Sequence, residues 1–236
     1  MSELSTKTAL VTGASSGIGL AISEALLKQQ CRVIGLARDF TKVTLGNPLF
    51  EANTQDLSDL QGTSDWIKKR CKNTPIDFFI HSAGSGLFGS IEQFSVTQID
   101  QYLKANLSSA LVLAHHIVPG MRRHKAGRII FIGSESALTA GKKGALYSSA
   151  KFGLRGLALA LREDCSKDGI SVSLINPGMV KTPFFDEQSF RPGQDPSNYI
   201  QAEDIADCVI NILHSSTNIV FDEINLSPRN KSIDFS

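Results

Sequence analysis

No stretch of this sequence stays apolar for long. Nothing approaches the roughly 20 consecutive apolar residues of a membrane-spanning helix, so none is expected. An excess of one charge is missing as well: 24 basic and 23 acidic residues leave a net charge of +1, and no basic run extends beyond a few residues. That excludes the basic patch on which nucleic-acid binding depends. Met1-Ser2-Glu3-Leu4-Ser5 lacks the apolar centre of a secretory signal. Cysteine is sparse: Cys31, Cys71, Cys165 and Cys208 are scattered, with no Cys-x-x-Cys pair. Isolated thiols fit a reducing compartment, so a cytoplasmic location is expected. Linkers, repeats and low-complexity segments are also missing, and residues 1–236 are read as one domain.

What is present is an alternation of short apolar runs and helical patterns. Residues 8–12 read as a strand that runs into Gly13-Ala14-Ser15-Ser16-Gly17-Ile18-Gly19. Ile18, Ile22, Leu26 and Leu27 then share a helix face. Three glycines at a strand-to-helix turn let a backbone approach a pyrophosphate, and the helix N-terminus offers unpaired N–H groups and a favourable dipole. A second strand, 31–37, ends about 20 residues past the glycines, where nucleotide folds read the adenosine ribose. A third near 49–52 leads to Asp56-Leu57. A helix over about 58–72 carries the only tryptophan, Trp66, read as core or groove filler. A fourth strand, 78–80, ends in His81-Ser82-Ala83-Gly84 and a glycine-rich loop. A long helical region over about 97–123 contains Asn106 and the adjacent His115 and His116, which point different ways and form no metal site. A strand at 127–132 ends at Gly133-Ser134, a helix runs to about 166, and a strand at 170–175 ends in Asn176-Pro177-Gly178. Residues 183–199 hold three prolines and read as a lid-like irregular stretch. A helix at 202–214 and an apolar strand at 218–226 follow. The alternation argues an α/β fold: a single Rossmann-type doubly wound parallel sheet of about seven strands with helices on both faces.

The chemistry is expected at Tyr147-Ser148-Ser149-Ala150-Lys151. Four residues apart on a helix, Tyr147 and Lys151 share a face. A fixed ammonium favours the phenolate and is expected to lower the phenol pKa. Such a phenol can exchange a proton with an alcohol or carbonyl. Pocket walls are expected from Leu87, Phe88, Leu138, Phe184 and Phe185, giving an apolar or aromatic lining. Lys142 and Lys143, on the loop between Ser134 and Tyr147, point to an acidic substrate. The helix from Tyr147 is apolar around most of its circumference and must be covered, either within the core or by another subunit.

These residues together resemble a classical short-chain dehydrogenase/reductase over nearly the whole chain. The carrying motifs are Thr12-Gly13-Ala14-Ser15-Ser16-Gly17-Ile18-Gly19, Ser82-Ala83-Gly84, Asn106, Ser134, Tyr147 with Lys151, and Asn176-Pro177-Gly178 followed by Thr182. The resemblance implies a Rossmann fold that binds NAD or NADP and a catalytic tetrad. Tyr147 would be the general acid in reduction and the base in oxidation. Lys151 would hold the nicotinamide ribose, Ser134 the carbonyl oxygen, and Asn106 a water in the relay to Lys151. Cofactor contacts would come from Gly13, Ser15, Ser16, Gly17, Ile18, Arg38, Asp56, Leu57, Ala83, Gly84, Asn106, Tyr147, Lys151, Pro177, Gly178 and Thr182. No metal is implied. The family commonly pairs subunits through the two long helices, so a homotetramer or homodimer is expected. Two departures stand out. His81-Ser82-Ala83-Gly84 replaces the family's Asn-Asn-Ala-Gly, which could loosen a strand junction. Residues 222–228 lack the Asp-Gly-Gly of acyl-carrier-protein ketoreductases and look more like the tails of short reductases acting on hydroxy acids, pterins or small carbonyls.

The expected activity is therefore an NADP(H)-dependent interconversion of a carbonyl and an alcohol. A non-catalytic NADP(H)-binding sensor with the same fold is the alternative; a Rossmann-fold isomerase would need a larger substrate domain. NADP(H) is favoured over NAD(H) because Ala37 stands where a ribose-binding carboxylate would repel a 2′-phosphate, and Arg38 follows with a phosphate-binding guanidinium. A register shifted by two residues would make Asp39 the ribose acceptor and reverse the preference.

Overall fold

In the computed structural model, which describes residues 4–43 and 45–235, Thr8–Thr12 form β1, buried from Ala9 onward. Met1–Glu3 of the stretch tested for a secretory core lie outside the described residues. The elements follow as α1 (Gly17–Lys28), β2 (Arg32–Ala37), β3 (Phe50–Thr54), α2 (Leu60–Asn73), β4 (Phe78–His81), α3 (Val96–Leu103), α4 (Ser109–His124), β5 (Gly127–Ile132), α5 (Ala145–Cys165) and β6 (Ile170–Pro177). Then come β7 (Val180–Lys181), β8 (Phe190–Pro192), β9 (Ile200–Gln201), α6 (Ala202–His214), β10 (Glu223–Leu226) and β11 (Ile233–Phe235).

Seven strands form one parallel sheet in the order β10-β6-β5-β4-β1-β2-β3. The order reverses between β1 and β4, which opens a crevice at their carboxyl ends. Helices cover both faces, so the inner strands read as continuous apolar runs rather than alternating ones. Val11, Ile80, Ile130 and Ile132 pack with Ile22 and Leu26 of α1 and Ile205 and Val209 of α6. Leu10, Phe79, Ile129 and Phe131 face the other way, onto Ile67 of α2, Leu113 and Ile117 of α4, and Leu154 of α5. Trp66 is partly buried against this second cluster.

Four expectations need correction. The helical region around Asn106 is not continuous: a π turn at Lys104–Ser108 separates α3 from α4. The Asn106 side chain causes it locally, because its Nδ2 donates to the Tyr102 carbonyl at 2.9 Å, four residues back, and occupies an acceptor of the helical ladder. The last sheet strand spans Glu223–Leu226, not 218–226. Residues 183–199 are not wholly irregular: they contain β8, which pairs antiparallel with β11, a strand that the apolar pattern did not reveal. His115 and His116 do meet, their ring centroids 4.8 Å apart.

Candidate active site

The cofactor side is built from strand ends. Gly13 N and Ala14 N donate to the Leu36 carbonyl at 2.8 and 3.2 Å, which folds the loop after β1 against the end of β2. Gly13 has φ +70° and Gly17 φ +51°, conformations that a side chain disfavours. Gly19 is required for a different reason: a Cβ there would lie 2.2 Å from the Gly13 carbonyl oxygen. Ser16, the N-cap of α1, makes no side-chain cap, so the first-turn N–H groups are left for a ligand. A cleft of about 500 Å³ opens in front of them, lined by Gly13, Ser15, Ser16, Arg38, Asp56, Leu57, Ala83, Gly84 and Asn106. An uncapped helix N-terminus, a glycine turn and an exposed guanidinium fit a dinucleotide phosphate chain.

His81 joins the junction of β1 and β4 through Thr12. Thr12 Oγ1 accepts from Ser82 N at 3.1 Å and Ala83 N at 3.0 Å. With both acceptor positions used, its own hydrogen goes to His81 Nδ1, 3.1 Å away. His81 therefore carries its proton on Nε2 and is uncharged; burial, with Lys151 adding to it, pushes its pKa down to about 3. The imidazole ties β4 to β1 through Nδ1, while Nε2 is buried with no hydrogen-bond partner among the described residues.

A second cavity of about 730 Å³ meets the first at Gly84. It is lined by Ile18, Ser134, Tyr147, Lys151, Pro177, Gly178 and Thr182 among others. Gly17 lies beside it, since a Cβ there would touch the Thr182 side chain at 3.2 Å. Ser134 sits past the end of β5; its N–H donates to Asn176 Oδ1 at 3.3 Å, and its hydroxyl oxygen accepts from Ser136 N at 3.1 Å. Asn176 Nδ2 in turn donates to Glu223 and Asn225 of β10, and Arg155 of α5 holds Glu223 with two bonds of 2.8 and 3.0 Å. The strand end carrying Ser134 and the helix carrying Tyr147 are thus tied through one polar chain. Asn106 Oδ1 accepts from Ser85 N at 2.8 Å. A Cβ on Gly84 would lie 3.1 Å from that oxygen and 3.6 Å from Lys151 Nζ, so Gly84 is the spacer between the two side chains.

Tyr147 and Lys151 share the buried face of α5. The electrostatics differ from the expectation. Burial pushes the Tyr147 phenol up to about 12, opposed by Ser134 and reinforced by Glu135. Lys151 Nζ lies 6.0 Å from the ring centroid and donates to the Ile132 carbonyl at 3.0 Å. Burial lowers Lys151 itself to about 8. In this pocket desolvation of the phenolate sets the direction, and the only opposing influence comes from Ser134, not from Lys151.

The apolar wall also differs. Phe88, Phe184 and Phe185 line the Tyr147 cavity, but Leu87 lines the cofactor cleft and Leu138 neither cavity. Phe190, Ile233 and Phe235 line it unforeseen; the only signal was their apolar character near the end of the sequence. Lys142 and Lys143 stand at its exposed rim.

A family model described as short chain dehydrogenase matches residues 7–191. The chain belongs to the short-chain dehydrogenase family. It is 30% identical over 239 residues to an uncharacterized oxidoreductase of Staphylococcus saprophyticus, covering 97% of this chain and 100% of the relative. It is 31% identical over 219 residues to a 3-oxoacyl-[acyl-carrier-protein] reductase of Buchnera aphidicola, covering 88% and 90%. Among solved structures, a metagenomic short-chain oxidoreductase in complex with NADP superposes with a TM-score of 0.80 at 28% identity, covering 97% of this chain and 99% of that one. An alcohol dehydrogenase of Thermococcus sibiricus shares the fold at TM-score 0.84 and 22% identity, covering 96% and 98%. The family is one of oxidoreductases that use a nicotinamide cofactor.

Proposed function

We propose that this short-chain dehydrogenase interconverts a carbonyl and an alcohol with NADP(H). The observation that carries the reading is that Tyr147, Ser134 and Lys151 line one cavity, which shares Gly84 with the cleft at the α1 N-terminus. The bound nicotinamide supplies or accepts the hydride, which leaves the protein to orient the substrate and move one proton. In reduction, Ser134 donates a hydrogen bond to the carbonyl oxygen and Tyr147 gives that oxygen its proton. A phenol held near 12 is fully protonated at neutral pH and ready to donate. Lys151, with one N–H on the Ile132 carbonyl, keeps two for the ribose hydroxyls and a water beside Asn106. In oxidation the proton runs the other way. The Buchnera relative, by its name, reduces a ketone, which agrees with this reaction class.

The NADP(H) preference rests on Arg38. β2 ends at Ala37, so Arg38 and Asp39 both follow the strand at the cleft edge. Asp39 is engaged with Thr41, accepting from its N–H at 2.7 Å and its hydroxyl at 2.9 Å. That turn occupies the carboxylate, which supports the guanidinium as the group that would meet a 2′-phosphate. The reading includes a homo-oligomer, a tetramer or a dimer: Leu111 of α4 and Phe152 and Leu159 of α5 are each more than 40% exposed, and light scattering reads the mass. It also includes a cytoplasmic location, in keeping with four free thiols. The test is loss of NADPH absorbance against a panel of carbonyl compounds. Turnover is expected; tight NADPH binding with no turnover across the panel would favour a sensor instead.

A further inference from the structure

Residues 227–235 leave β10 and return across the mouth of the Tyr147 cavity. They are tied down on two sides. Toward the catalytic strand ends, Pro228 packs on Gly178, where a Cβ would lie 3.0 Å from the proline ring, and Lys231 pairs with Glu135 next to Ser134. Toward the loop after β7, Asn230 donates to Ser197 through its backbone at 2.9 Å and its side chain at 2.8 Å, and Gly193 N donates to the Ser232 carbonyl at 3.0 Å. β11 then pairs with β8 so that Phe235 stands opposite Phe190 and Ile233 opposite Pro192. Side chains alternate along a strand, so Ile233 and Phe235 share one face while Asp234 and its register partner Arg191 take the other.

The apolar face lines the cavity that contains Tyr147 and Ser134. Phe235 is nevertheless 79% exposed and Ile233 48%. Apolar groups left bare on the wall of a reaction cavity gain burial when a ligand covers them. The rest of the cavity shows what kind of ligand fits. Phe88 lies 4.9 Å from the Tyr147 ring and 4.9 Å from Phe190, and Phe185 lies 5.8 Å from Phe190, so an aromatic surface leads from the phenol to the ribbon.

We propose that residues 227–235 form a substrate-binding element, in which Phe235 and Ile233 grip the apolar, ring-sized body of a carbonyl compound whose oxygen rests at Tyr147 and Ser134. The proposal rests on the carbonyl chemistry assigned above to that site. It makes Phe235 a specificity residue that acts on the body of the substrate, remote from the reacting carbon.

The test compares acetophenone with butanone, which present a similar carbonyl with and without a ring. Kinetics with NADPH are measured on the wild type, Phe235→Ala and Ile233→Ser. Both side chains are exposed, so neither change threatens the fold. The ratio of kcat/KM for acetophenone over butanone is expected to fall roughly 10-fold in Phe235→Ala, about the effect of losing most of one ring's burial, with the loss in KM rather than kcat. A smaller fall is expected in Ile233→Ser. An unchanged ratio overturns the proposal, as does a wild type that favours butanone, or a variant that changes only the mass read by light scattering. Calorimetric binding of acetophenone to the NADPH-loaded protein separates this inference from the reaction. Binding that weakens in Phe235→Ala without turnover of either ketone sustains the grip and refutes the carbonyl chemistry. Turnover of both ketones with an unchanged ratio sustains the chemistry and refutes the grip.

Discussion

The two halves of the site are made of different material. The cleft beside the α1 N-terminus takes its phosphate-sized floor from backbone: the turn at Gly13, the uncapped first turn of α1 and the Ala83-Gly84 strand end. Each belongs to the sheet or to a turn next to it, and the strand ends are held by ladder bonds and by Thr12 with His81. The substrate cavity is made mostly of side chains, from Phe88, Phe184 and Phe190 to Phe235, carried on loops and a two-stranded ribbon. A backbone cleft recognises what all dinucleotides share. A side-chain wall can be rebuilt residue by residue without disturbing the sheet, so the proposed substrate specificity would be separable from the fold.

The comparison is sharpened first at the boundary between the halves. Tyr147→Phe is expected to cost roughly 10²–10⁴-fold in turnover while NADPH binding, followed by fluorescence, stays close to wild type. Wild-type rates in this variant would remove Tyr147 from the chemistry. Next, a single methyl group is expected to damage the backbone half. Gly19→Ala forces a Cβ into the Gly13 carbonyl and should lower stability by about 1–3 kcal/mol and weaken NADPH binding. Thermal denaturation and a binding titration measure both, and an unperturbed variant would mean that the loop has slack the geometry does not suggest. Truncating Arg38, at the edge of the cofactor half, should alter selectivity only. In Arg38→Ala, the preference for NADPH over NADH is expected to fall roughly 10- to 100-fold, the range of a charge-assisted hydrogen bond. Equal use of NADH by the wild type would return the role to Asp39.

The last effect is a dependence of stability on pH. Lys151 titrates near 8 when folded, against an ordinary value of 10.5. Between those values the unfolded chain holds a proton that the folded chain has released, so this group makes stability rise with pH over the window. Tyr147 acts in the opposite sense at higher pH: its folded value near 12 lies above the ordinary 10, so between those values the folded chain holds the extra proton and stability falls. Denaturant titrations should show the first limb in the wild type and lose it in Lys151→Met. A limb that survives that substitution belongs to another group.

The sequence by itself determined the sheet and the cofactor half. Strand-length apolar runs such as 8–12 and 127–132 are buried between helix layers, and the glycines at 13, 17 and 19 mark a strand-to-helix turn. Those patterns are local, so they can be read residue by residue. The spacing of Tyr147 and Lys151 was legible for the same reason, since helical periodicity alone puts them on one face. Tertiary structure decided the rest. The phenol pKa rises because burial, a property of the whole surround, disfavours the phenolate. Asn106 interrupts its helix because Tyr102 and Ser85 bond to its side chain. Residues 190–192 become a strand only when 233–235 arrive from about 40 positions away to supply the ladder. A pairing of that range leaves no period in either segment, and so the wall facing the substrate became visible only once the chain had folded.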